Sequence, residues 1–385
     1  MPSLVLSAAI ALVVALVTCG PAAPAQAAAR TAVTFSASQT ALRKGEMTWL
    51  SGRVTVGSSG ASQAKVAVER RAGAGAWSRL TTLTTTTTGR FAVRQRPAAA
   101  YSYRARVLAA GSVGSAVSRT ATIRFSGADR TLAQRATVLR PQLGPLTGAT
   151  TAASGSVRYR STTKGLLVEV RTSSSVRTWL VYGDILTAYR KAGGPKGKLG
   201  APLADPKCGL LESGCVQRFA RGAIYDNAHT KGTVAYGTGR VTEIIAAERS
   251  QLGYGIHTLN RSKYNAWAHS PYAWCSLFQS WAAAATGNAA YIPQSTKFSR
   301  FVAATKAHLR TGSTPRVGAL VFFDTDADGR TAPTHVGLVI AVHATTITTI
   351  EANTSNPAGG TARGVYLKER VRSWPLFYAY PKYLS

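Results

Sequence analysis

The hydrophobic periodicity changes character twice along this chain, near residues 127 and 239, and one layered domain cannot satisfy all three patterns. Up to residue 127 the period is two. Val66 and Val68 alternate with Lys65, Ala67 and Glu69, and Tyr101, Tyr103 and Ala105 alternate with Arg104 and Arg106. Six β-branched or aromatic segments, 48–56, 64–70, 78–85, 90–96, 101–108 and 118–125, are separated by Gly, Ser and Ala turns. Alternation of this kind buries one face of each strand, so residues 30–127 are expected to form a two-sheet sandwich. The module holds no His, no Cys and two acids, so chemistry must be sought elsewhere.

With 385 residues the chain is long enough for several domains. Lys and Arg number 46 against 15 Asp and Glu, a formal charge of +31. Residues 30–127 carry 15 basic and 2 acidic groups, 128–239 carry 16 and 6, and 240–385 carry 15 and 7. The excess is spread over the whole chain, as expected for a partner of an immobile anionic polymer rather than an enzyme of neutral metabolites. Nucleic acid is a poor candidate, because no recognition motif accompanies the charge. Residues 4–17 form an apolar run too short to span a bilayer, and Ala25-Gln26-Ala27 follows as a small-x-small cleavage site. Residues 1–29 thus read as a signal peptide, giving a secreted, wall-associated protein without a transmembrane span. Cys19 read as a lipidated cysteine is disfavoured by the bulky Thr18 before it.

Residues 128–239 repeat themselves. Leu143-Gly144-Pro145 is echoed by Leu199-Gly200-Ala201-Pro202, and Val181-Tyr182-Gly183 by Ala235-Tyr236-Gly237. Near-constant spacing implies stacked units that cannot bury their apolar faces alone. The second copy, with Ala188-Tyr189, Gly193-Gly194, Leu199-Gly200-Ala201-Pro202, Phe219 and Ile224-Tyr225, resembles the LGFP repeat of cell-wall-associated proteins. That resemblance implies a wall-binding region. Trp77, GRFAV and YSYRARV similarly resemble the Ig-like modules of exported bacterial proteins.

From residue 240 onward helices come first and strands follow, the order of an α+β domain. Helices are expected over 241–251, 272–285 and 298–309, and strands over 319–323, 335–342, 345–351 and 365–368. Three cysteines lie beyond the leader. Cys208 and Cys215 enclose GLLESG and are placed to close a small disulfide loop, which leaves Cys275 alone in an oxidising compartment. Cys275 lies in the first turn of its expected helix, where backbone amides stabilise a thiolate. A nucleophilic cysteine needs a base, and His335 opens an apolar strand at a sheet end. His343 stands at the far end of the same strand. Glu351 and Asn353 close the next strand, two residues apart and so expected on one side of it. A zinc site on Cys275 and His335 lacks a third ligand at a recognisable spacing. Asp324-Thr325-Asp326-Ala327-Asp328-Gly329 has the first half of a calcium loop but no glutamate at its twelfth position, and reads as a solvated turn.

Together PYAWCSLFQSW, PRVGALVFFD, HVGLVIAV and TTIEANTS resemble the CHAP domain, the cysteine, histidine-dependent amidohydrolase/peptidase module of bacterial cell-wall hydrolases. Matched motif by motif, the family nucleophile falls on Cys275, its base on His335, its third residue on Glu351 and its frequent fourth, an Asn, on Asn353. Ser276 stands where a subset of the family has Ala, and Ala352 where it has Gly. The resemblance implies a multidomain protein: an all-β Ig-like sandwich, an LGFP-like repeat region over 128–239, and an α+β papain-like domain over 240–385. It implies a secreted peptidoglycan hydrolase that cuts an amide bond without a cofactor. Expected partners are peptidoglycan and anionic cell-wall polymers, and the expected state is a monomer. The alternative is a non-catalytic wall-binding scaffold whose papain-like domain is silent.

Overall fold

A computed structural model describes residues 29–126, 130–326, 331–359 and 362–384. The segment read as a signal peptide lies, up to residue 28 and with Cys19 and Ala25-Gln26-Ala27, outside the described residues.

The N-terminal region is mostly β-sheet. One sheet joins strands Thr31–Ala37, Thr48–Val56, Ser59–Gly60 and Arg90–Gln95. The other runs through Ala121–Phe125, Tyr101–Leu108, Lys65–Arg71 and Ser78–Thr84. Alternation decides what lies between them: Leu50, Val54, Phe91 and Val93 from the first sheet meet Val66, Val68, Tyr103, Ala105, Val107 and Ile123 from the second. Strand Thr31–Ala37, whose alternation is half-buried rather than buried, is an addition to the six expected segments.

Next come two copies of one unit, each a helix followed by four antiparallel strands. Helix α1 (Leu132–Leu143) precedes the sheet Leu146–Ser154, Val157–Thr162, Gly165–Arg171 and Val176–Tyr182. Thr131 and Gln134 form a reciprocal capping box that starts α1. Helix α2 (Gly183–Lys191) precedes the sheet Lys207–Cys208, Cys215–Phe219, Gly222–Asp226 and Thr233–Tyr236. Ile185, Leu186 and Tyr189 of α2 share one core with Leu166, Val168 and Val181 of the first sheet and with Phe219 and Ile224 of the second. Each unit thus completes its neighbour. Gly200 adopts a left-handed φ of +69°, which turns its carbonyl to accept a 2.7 Å bond from the Tyr189 hydroxyl. Cys208 and Cys215 are disulfide-bonded across the first two strands of the second sheet.

The C-terminal region carries α3 (Val241–Arg249), α4 (Lys263–Ala268), α5 (Cys275–Ala285) and α6 (Phe298–His308). Its seven-stranded antiparallel sheet has the spatial order Gly255–Ile256, Arg363–Val371, Thr346–Ser355, His335–Val342, Leu320–Phe323, Phe377–Tyr380, Arg310–Gly312. One face of that sheet (Leu320, Phe322, Val336, Leu338, Ile350, Ala352) packs with Leu277, Phe278 and Trp281 of α5. The same core takes in Ile244 and Ile245 of α3 and reaches Val216, Tyr225 and Ala235 of the second repeat sheet. Two sequence expectations need correction. The central helix begins at Cys275 rather than near residue 272. Helix α4 was not expected; its six residues are too few to show a period, although the Ser262/Asn265 capping box marks its start. Among the described residues no helix is long and apolar enough to cross a membrane.

Candidate active site

Cys275 is the first residue of α5, so its own amide and the next ones lie at the end of the helix where no preceding turn supplies acceptors. It is 1% exposed and is the free cysteine among the described residues. Trp274, just before it, is wholly buried, stacked on Tyr264 with centroids 5.3 Å apart and edge-on to Tyr254. Trp274 is therefore core and lines no groove. These rings fix the backbone on which Cys275 stands. Tyr272 is exposed, with the Lys297 ammonium 5.4 Å from its ring. Asn265 of α4 donates from Nδ2 to the carbonyls of Ser270 and Tyr272, at 2.9 and 2.8 Å, and so holds the approach to the helix.

His335 occupies the first position of its strand, 7% exposed, paired in register with Phe323. Its Nε2 lies 3.0 Å from Glu351 Oε2. Cys275 is the other side chain that acts on the His335 ring. Burial pulls the imidazole toward neutrality, but the bonds to Cys275 and Glu351 outweigh it and carry the pKa up to about 9. A protonated imidazole is favoured only where negative charge faces it. The ionised Glu351 supplies that charge here.

Glu351 is fully buried in its strand, directly opposite Gly337. A Cβ at Gly337 would stand 2.7 Å from Glu351 Cγ, so the missing side chain is what lets the carboxylate lean across to His335, two residues along the same face. Thr349 Oγ1 donates to Oε1 at 2.7 Å, and Arg370 spans both oxygens, Nε to Oε1 at 2.8 Å and Nη2 to Oε2 at 2.6 Å. Burial would raise this carboxyl, yet the Arg370 and His335 bonds hold it at about 2. Arg370 belongs to the strand Arg363–Val371 and was absent from the sequence-based candidates.

Asn353 makes no hydrogen bond to these three among the described residues. The strand is irregular between Glu351 and Thr354, and Asn353 is left-handed at φ +57°, so the two-residue parity expected of Glu351 and Asn353 does not hold. Its carbonyl accepts from Arg363 at 3.0 Å, and its Oδ1 is buried without a hydrogen-bond partner among the described residues. His343 sits beyond the far end of the His335 strand, where Nε2 is 3.0 Å from Thr348 Oγ1. The acidic turn that begins at Asp324 runs partly outside the described residues, and among those described no cluster of His, Cys, Asp and Glu is arranged to hold a metal ion.

A buried thiol, an imidazole and an ionised carboxylate, brought in line from a helix and two strands, can activate sulfur for attack on a carbonyl. Comparison with known families agrees with this chemistry. Residues 267–353 match the CHAP domain, and residues 199–246 match the LGFP repeat. No curated protein matches the chain. The CHAP domain is that of a peptidoglycan hydrolase-like family of amidases and peptidases, and both domains are typical of cell-wall proteins.

Proposed function

We propose that this chain, with its CHAP domain and LGFP repeat, is a secreted cysteine-dependent peptidoglycan hydrolase that cuts an amide bond in the peptide stem or its cross-link. The observation that carries the proposal is the buried His335–Glu351 hydrogen bond, on a ring whose pKa Cys275 also influences, with each group supplied by a separate element. In this reading His335 already holds the thiol's proton when Cys275 Sγ attacks the amide carbonyl. The tetrahedral oxyanion meets the Cys275 amide at the start of α5. Collapse breaks the C–N bond, His335 gives its proton to the leaving amine, and a thioester remains on Cys275. Water, deprotonated by His335, then attacks the thioester and releases a carboxylate, which regenerates the thiol. Glu351 orients the ring and balances its charge throughout. Asn353 is assigned a supporting place behind these three.

The finer architecture belongs to the same proposal. We read residues 30–127 as an Ig-like sandwich, 128–239 as a wall-binding LGFP-like region and 240–385 as a papain-like catalytic domain. The last boundary divides the sequence but not the core, because α3 packs on both sides of it. The basic surface would hold the secreted chain, acting as a monomer, on peptidoglycan and its anionic polymers.

Digestion of purified wall by the wild type and by Cys275→Ala, with mass mapping of the products, tests the reaction. New amine and carboxylate ends released by the wild type alone are expected. Equal release by both proteins would sink the proposal.

A further inference from the structure

The Glu351 carboxylate has a second partner on the opposite side from His335, and that partner is built into the sheet. Arg370 binds both carboxylate oxygens, with Nε on Oε1 and Nη2 on Oε2. Such a two-point fork fixes the plane of a carboxylate, where a single ammonium would fix only its distance. The guanidinium is itself held: Trp374 lies against it at 4.7 Å from Cζ to ring centroid and Phe323 at 5.6 Å, with the two rings 4.9 Å apart. Phe323 also faces the His335 ring at 6.3 Å. Histidine, carboxylate, guanidinium and two aromatic rings therefore form one closed layer.

We infer that Arg370 is a positioning residue of this site: by clamping both oxygens of Glu351 it keeps the carboxylate ionised and in the plane in which it can hold His335 against Cys275. The inference rests on the catalytic reading of those three residues. The groups that face Glu351 are His335 from one neighbouring strand, Arg370 and Lys368 from the other, Thr349 from its own strand, and Cys275 through His335. Lys368 gives no substitute for the fork, since its ammonium bonds to Ser355 Oγ at 3.5 Å. Without Arg370 the buried carboxylate keeps only Thr349 and His335, and burial then favours its neutral form. A protonated Glu351 no longer supports a charged imidazole, and burial then favours neutral His335.

The test is the pH dependence of Cys275 alkylation by iodoacetamide in the full chain, read by mass spectrometry, beside the pH dependence of wall digestion. Replacing a guanidinium beside a carboxylate moves the carboxyl by about 1–3 pH units. Arg370→Met is expected to shift the acid limb of alkylation upward by a similar amount, with at least a tenfold loss of labelling at a pH just above the wild-type limb. Arg370→Lys, which keeps the charge but not the fork, is expected to lie between the two and to recover part of the digestion rate. Limbs that coincide in wild type and a folded Arg370→Met overturn the inference. Should the Met variant not fold, Arg370→Lys decides: a wild-type limb overturns the fork and a displaced one supports it. Alkylation needs no substrate, so a wild type that releases no wall fragments would overturn the hydrolase reading while the clamp is still judged by its limb.

Discussion

At Glu351 and His335 two oppositely perturbed groups share one proton-binding site, and the signs of their linkage differ. The folded state raises His335 to about 9, above the roughly 6.5 of a free imidazole. It binds the proton more tightly than the unfolded chain does, so its contribution is complete below about pH 6.5 and is lost as pH rises through about 9. Glu351 is held at about 2, below its ordinary value of 4.5. Its contribution is complete above the ordinary value and is lost as pH falls toward 2. Thermal melts of wild type and His335→Gln should therefore differ most near pH 6, and the gap should narrow toward pH 9. A gap independent of pH would contradict the assignment. Gly337 gives a second check at this scale. Gly337→Ala would place a methyl group against Glu351 Cγ, at a cost of about 1–3 kcal/mol for overpacking, and should impair digestion while the chain still folds. Full activity of this variant would show that the close approach is dispensable.

The disulfide-bonded hairpin is the element where the repeat and the C-terminal region meet. Its contacts reach into the C-terminal region. Lys207 Nζ donates to the Gly287 carbonyl at 2.9 Å, just past the end of α5, and Glu212 pairs with Lys263 of α4 at 2.9 Å. The ion pair is partly exposed and is worth at most about 1 kcal/mol. Closing so short a loop contributes about 2 kcal/mol by the chain-entropy account. The Cys208→Ala, Cys215→Ala double variant should lower the midpoint of denaturant unfolding by a corresponding amount and weaken digestion as well as wall retention. Digestion unchanged beside a clear loss of stability would confine the hairpin to the repeat.

Across the whole molecule one buried carboxylate joins the N-terminal sheets to the repeats. Asp205 is fully buried and accepts from the Met47 amide at 2.9 Å, the Leu180 amide at 2.7 Å and the Arg135 guanidinium. Arg135, equally buried, also reaches Glu46 at 3.2 Å and Gln39 at 3.0 Å, and Arg96 donates to the Asp205 carbonyl at 2.6 Å. Removing one partner strands a buried charge, so Asp205→Ala should destabilise the chain by about 3–5 kcal/mol, measured by denaturant unfolding. A loss under about 1 kcal/mol would mean that water replaces the carboxylate and the joint is loose. The outward charges act differently. With +31 spread over all regions and a Debye length of about 8 Å at physiological salt, sedimentation of the full chain with purified wall should fall steeply as salt is raised. Retention that ignores salt would point to a specific pocket as the main hold.

Much of this molecule was legible before any tertiary contact was known. Period-two alternation marks Tyr103 and Ala105 as inward-facing, because a strand buried on one face has no other pattern available. The echo of Leu143-Gly144 in Leu199-Gly200 announces the repeat. The lone Cys275 at a helix start, His335 opening an apolar strand and Glu351 ending an apolar run are the sequence signals from which the proposed site is built. Arg370 was not legible. It is one of 46 basic residues, 19 positions from Glu351, and nothing in its neighbours distinguishes it until two strands pair and bring its face beside the carboxylate. Asn353 was placed by parity, which the irregularity after Glu351 breaks, and a bulge leaves no mark on hydrophobic alternation. The Asp205–Arg135 joint likewise spans 70 residues. Local burial is written in sequence because water acts on each residue separately. Which polar groups satisfy one another is decided by strand register and packing between units, and these exist only in the folded chain.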